Sequence, residues 1–203
     1  MVQRINTALR VGAEERAKLD SAVTARGRGN IWVRIEFAVY SKPNRGGKLL
    51  SRGYKEADIT VFQLSQFMQA SWLAVFAASI TATDGSSQAI NSAITANTPK
   101  IEFGTGSGSA AYTDTAIFTA AGGTNPVTAS STAASSGANT WTVTATWNNT
   151  TGSSVTITEL ALYVTSTAGV TTNKTYCLTH DTFTGQVVSN GGSAAATLTF
   201  TMS

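Results

Sequence analysis

Histidine and cysteine each occur once in this chain, as His180 and Cys177, and proline occurs only three times in 203 residues. One cysteine excludes an internal disulfide. One cysteine with one histidine supplies neither a metal quartet nor a thiol–imidazole catalytic set. Cys177 therefore reads as a small core residue, alternating with Leu178 in a strand. Charge is also scarce: 12% of residues are charged, against about a quarter in ordinary domains. With 42% apolar residues the chain can still build a core without metals or disulfide staples. Long hydrophobic runs are missing too. The longest strongly apolar stretch, Trp72 to Ile80, falls far short of the roughly 20 residues of a membrane helix. No N-terminal segment joins a basic region, an apolar stretch and a small-residue cleavage site. Neither membrane insertion nor secretory export is expected, and Asn149-Thr150-Thr151 reads as a chance glycosylation match.

What charge there is lies unevenly. Residues 1 to 60 hold 12 of the 14 Lys and Arg and 6 of the 11 acids, a balance of +6 against −3 for the remainder. Arg26, Arg28, Arg34, Lys42, Arg45, Lys48, Arg52 and Lys55 offer a surface for weak, non-specific nucleic-acid contact. No recognition motif or aromatic-interleaved platform accompanies them, so a solvated face or a contact with acidic neighbours is the favoured reading.

The pattern along the chain predicts a basic N-terminal arm over residues 1–30 and a β-rich domain over 31–203. Ala13 to Ala25 carries only a weak apolar stripe before Arg26-Gly27-Arg28-Gly29, so the arm needs a partner to become ordered. "IWVRIEFAVY" (31–40) alternates cleanly, with Ile31, Val33, Ile35, Phe37 and Val39 on one face. Asp58 can cap a helix near 58–78, with Ile59, Phe62, Phe67, Trp72, Leu73 and Phe76 to pack on a core. Thr83-Asp84-Gly85 predicts a hairpin-type turn and Lys100 to Phe103 a short strand. Ala120 to Asn139 is of low complexity and predicts an exposed loop, or one ordered by a partner. Thr140 to Trp147 puts Trp141, Val143, Ala145 and Trp147 on one face and four threonines on the other. Val155 to Val164, Thr175 to Phe183 and Ala194 to Met202 continue as strands. Their short linkers favour antiparallel pairing. The fold class expected is mainly β with a minor helical part: an antiparallel β-sandwich, jelly-roll or Ig-like, with one core-packing helix.

"IEFGTGSGSAAYTDTAIF" (101–118) raises the question of chemistry. Gly104, Gly106 and Gly108 alternate, but the dinucleotide fingerprint needs glycine where Ser109 stands, and a P-loop needs Gly-Lys-Ser/Thr. A connection between strands is the simpler reading, with glycine serving where φ must be positive. Glu159 with Asp181 is a conceivable carboxylate pair, and Asp114 with His180 a conceivable proton-transfer pair. A strand glutamate more often bonds backbone or a threonine hydroxyl, and His180 is most simply a strand-face residue. No catalytic, cofactor-binding or metal-ligating residues are assigned.

Three segments in order, "IEFGTGSGSAAYTDTAI" (101–117), "VTITELALYVTSTAGVTTNKTYCLTHDTF" (155–183) and the terminal "ATLTFTMS", resemble a β-rich module of tailed phage and tailed archaeal virus structural proteins. That module runs as a Gly-Thr-Gly turn with a nearby Asp, an Ile-Thr-Glu strand, an arginine-containing strand ending in Phe, and a final strand. The chain differs at Ala161, where the module has glycine, and at Thr179-His180, where it has arginine. The resemblance implies a non-catalytic virion component of tail, neck, fibre or capsid surface. It implies assembly in many copies beside other virion proteins, inside the host cytoplasm, without cofactor or membrane. The alternative is a receptor- or surface-binding, adhesin-like tip with loop 120–139 as contact surface. A virion-attached hydrolase, the third class, lacks a nucleophile–base or metal pattern.

Overall fold

The computed structural model describes residues 31–56, 79–89, 99–111, 113–132, 140–165 and 174–202. The expected arm (1–30) and helix (58–78) lie outside the described residues. Within them the chain is mainly β, with every paired strand antiparallel. No helix among the described residues is long and apolar enough to cross a membrane.

The alternating segment forms β1 (Ile31–Tyr40), which turns into β2 (Leu49–Glu56). Asn44 and Arg45 take positive φ in this connection, at 54° and 60°. Each Asn44–Asn148 amide contact is 2.8 Å long and anchors the turn. A small hairpin follows, β3 (Ser79–Thr81) and β4 (Ser87–Ala89), around the expected Thr83-Asp84-Gly85 turn, where Gly85 has φ 79°. Next come β5 (Lys100–Gly104), β6 (Val127–Thr128), β7 (Ser130–Thr132) and β8 (Thr140–Asn148). The chain ends with β9 (Val155–Thr165), β10 (Thr175–Val188) and β11 (Ser193–Met202). One sheet has the order β2-β1-β11-β8-β7 and a second β10-β9-β5-β6.

Period-two alternation decides which side chains meet. From the first sheet Val33, Ile35, Phe37, Val39, Val143, Ala145, Trp147, Leu198 and Phe200 join one apolar cluster with Ile101, Phe103, Ile157, Leu160, Leu162 and Tyr176 of the second. Trp141, expected to be equally buried, is only partly so, and it stacks on Phe200 at 5.0 Å with the rings 3° from parallel. Cross-strand registers Thr144↔Thr197 and Thr142↔Thr199 align threonines on the opposite face.

Of the expected loop 120–139, residues 133–139 lie outside the described residues, and 120–132 carries more pairing than its composition suggests. Most of 122–132 is exposed, but Ala121 and Ala129 are buried, β6 pairs with β5, and β7 pairs with β8. The physical reason lies in the backbone and in small side chains. Ala129 N–H donates to Pro99 O at 2.8 Å, and the Asn125 amide brackets Phe103 with bonds of 3.1 and 2.7 Å, standing in for a strand neighbour. Alanine-sized pegs are enough where the main chain supplies the pairing.

Candidate functional site: a glycine strap on a buried carboxylate–histidine cluster

The second sheet has another face, and residues 105–120 cover it. Two changes of register place the relevant side chains there. In β10 the register shifts between Thr182 and Gln186 against β9, a bulge that re-aims neighbouring side chains. Ile157 and Leu160 both join the apolar cluster, while Thr158 and Glu159 between them both bond Gly106. A second shift between Cys177 and Thr179 leaves Cys177 and Tyr163 on the strap side, packed with Ala161 and Ile117.

Glu159 is fully buried, and its carboxylate is the anchor of the strap. Oε1 accepts from Gly106 N–H at 2.7 Å and Thr119 N–H at 3.0 Å; Oε2 accepts from Phe118 N–H at 3.0 Å. The glycine loop is thus an anion cradle after all, but the anion is the protein's own. Thr158 Oγ1 adds a 2.6 Å bond to Gly106 O. Thr105 N–H donates to Thr119 O, and Gly104 bridges Ala120, so the strap's two ends pair with each other.

The alternation of Gly104, Gly106 and Gly108 follows from this contact, not from positive φ, which none of the three has. A Cβ on Gly104 or Gly106 would run into the Glu159 side chain, and one on Gly108 would lie 2.6 Å from the Phe118 ring. An extended segment turns every second residue to the same side. That side must be bare for the strap to lie flat.

His180, also fully buried, completes the cluster: Nε2 lies 2.9 Å from Glu159 Oε2 and Nδ1 lies 2.7 Å from Asp114 Oδ2. With both carboxylates ionised, both contacts are N–H···O bonds only when the ring carries a proton on each nitrogen. Asp114 Oδ2 also accepts from Ala111 N–H at 2.7 Å, closing the turn that presents it. The Phe118 ring meets the imidazole edge-on at 4.8 Å. Both ring nitrogens are thus engaged by carboxylate oxygens. The group fastens one piece of chain to another.

Around the cluster, Tyr163 OH accepts from Ile117 N–H at 2.8 Å. Burial pushes the Tyr163 hydroxyl and the Cys177 thiol well above their ordinary ranges, with nearby acidic groups adding to the effect. Burial also raises the Glu102 carboxyl, partly offset by its bond to Tyr163. These are inert, structural settings for a thiol and a phenol.

Of the two pairs conceivable from sequence, Asp114–His180 is present and Glu159–Asp181 is replaced. Glu159 faces the strap, whereas Asp181, in register with Leu160, faces the interior and meets Lys55. The Glu159–His180 contact was not foreseen. The signal for it was the parity break in "ITEL", since 157 and 160 cannot share a face of an unbroken strand.

Arg26 and Arg28 lie outside the described residues. Arg34 and Arg52 each sit 5.2 Å from the Tyr54 ring centre, and Arg52 also pairs with Glu36. Lys42, Arg45 and Lys48 are exposed in the β1–β2 turn, where Arg45 Nε donates to Thr146 Oγ1 at 3.0 Å. Lys55 points between the sheets. A scan against protein families and searches of curated proteins and of solved structures return no match to the chain.

Proposed function

We propose that the protein is a virion structural component of the tail, neck or capsid surface that self-assembles in many copies and carries no catalytic activity. In this reading the two sheets form a jelly-roll or Ig-like β-sandwich, and its contacts are with copies of itself and other virion proteins. One observation supports it most. The described parts of the segments that resemble the viral module come together in the fold: β5, β9 and β10 pair in the strapped sheet, and Leu198 and Phe200 of the terminal segment share its apolar cluster. The groups capable of chemistry there, Asp114, Glu159 and His180, are engaged in holding the strap. Arg34 and Arg52 against Tyr54, with the β1–β2 turn, offer at most weak, salt-labile contact to nucleic acid.

A receptor-binding tip is the second reading, favoured by the largely exposed stretch 122–132 and the threonine face of β8 and β11. Mass photometry and negative-stain imaging of the purified chain separate the two. A closed ring, tube or lattice supports assembly, and a monomer or small trimer that retains surface binding supports the tip.

A further inference from the structure

We propose that Lys55 and Asp181 become joined by an intramolecular isopeptide bond that ties the two sheets together covalently. Lys55 lies on β2, at one end of the first sheet, and Asp181 on β10, at the corresponding end of the second. Register puts both side chains on the inner faces: Lys55 is opposite Ile35 and Asp181 is opposite Leu160, both of them core residues. Nζ stands 3.6 Å from Asp181 Oδ1; the carboxylate is 0% exposed and the lysine side chain 29%, so it is the carboxyl end of the pair that is shielded from water. Nζ also donates to Thr182 O at 2.6 Å, which holds the amine beside the carboxyl. Phe183 and Phe37, 5.1 Å apart, lie within two residues of Asp181 and in register with Gly53 respectively, so the setting is apolar.

These conditions favour amide formation. A fixed neighbouring nucleophile reaches an effective concentration far above any solution value, and exclusion of water opposes hydrolysis of the product. The step starts by moving one proton from the ammonium to the carboxylate, giving amine and carboxylic acid. Nζ then attacks Cγ, the Nζ–Cγ bond forms, and one Cγ–O bond breaks. The oxygen leaves as water with two hydrogens that began on Nζ. The ammonium and carboxylate charges cancel, nothing is oxidised or reduced, and no co-reactant is required. The proposal is independent of the virion reading, since any protein under shear or heat gains from a covalent tie between its sheets.

Intact-mass spectrometry of the purified, folded full chain tests it. The expected mass is below the sequence mass by one water, with fragmentation locating a branched peptide that joins Lys55 to Asp181. Lys55→Met should restore the full mass. Asp181→Asn should instead lose one ammonia, because the amide nitrogen then leaves in place of the oxygen. A folded wild-type chain at full mass overturns the proposal, as does a one-water deficit that persists in Lys55→Met.

Discussion

At the scale of single residues, the chain's one histidine is worth more than its rarity suggests. His180→Ala would leave Glu159 and Asp114 facing each other across a void with one donor fewer apiece. Leaving a buried polar group without its partner costs about 1–3 kcal/mol, more where the group is charged, and urea unfolding of His180→Ala is expected to show a loss of at least that size. A change below about 1 kcal/mol, the size of a surface ion pair, would mean that the cluster does not fasten the strap. Gly106→Ala tests the same contact from the other side. Its Cβ would fall 2.6 Å from the Phe118 Cβ and against Glu159, and overpacking of this kind costs about 1–3 kcal/mol. Hydrogen exchange should localise the loosening to 105–119; an unchanged melt with unchanged exchange would contradict the close approach. The sequence placed a special demand on these glycines but suggested the wrong cause. A period of two in glycine is a statement about a neighbouring surface, and for Gly104 and Gly106 that surface, Glu159, is more than fifty positions away.

At the scale of elements, β8 separates inside from outside. Trp147 is fully buried, its Nε1–H donates to Gly122 O at 3.1 Å, and its ring stacks near Phe103 at 6.3 Å. Trp147→Ala is expected to cost about 3–5 kcal/mol, whereas Thr144→Ala, which loses one hydroxyl contact to Thr197, should cost about 1 kcal/mol. Denaturant melts of the pair check the assignment of faces, and equal losses would refute it. The β3–β4 turn carries a pH signature. Lys174 donates to Asp84 Oδ2 at 2.6 Å and Ser86 bonds Oδ1, and these contacts, Lys174 foremost, hold the Asp84 carboxyl well below its usual range. A depressed folded-state value means the contribution is present above the unfolded carboxyl range, near pH 4, and disappears as pH falls through the folded value. NMR titration should show Asp84 shifting upward in Lys174→Met; an unmoved titration would disprove the pairing. Strands with strict alternation, β1 and β8, were legible because periodicity alone sets their faces. β9 and β10 were legible as strands but not in detail, since bulges exchange the faces midway. The exposure of 122–132 was legible in composition, but the pairing of β6 and β7 was not, because it comes from the backbone, which composition does not record.

At the scale of the whole molecule, charge is arranged to be used internally. All five acids beyond residue 60 are engaged: Asp84 with Lys174, Glu102 with Tyr163, Asp114 and Glu159 with His180, and Asp181 with Lys55. The outer face of β8 and β11 is lined by paired threonines, 144 with 197 and 142 with 199, an uncharged surface that like copies can approach without strong repulsion. Among the described residues, Leu49 and Leu50 on β2, Phe118 on the strap and Val187 on β10 are the large apolar groups left exposed. Repetition in a closed array would make small contacts of this kind sufficient. The viral reading was legible only in the order of short motifs. In the fold those segments meet, with the strap, Glu159 and His180 coinciding on one sheet face. Mass photometry of the purified full chain across a concentration series tests the assembly claim most directly: a discrete high-order species with cyclic or tubular symmetry under negative stain is expected, and a monomer persisting at every concentration would contradict it.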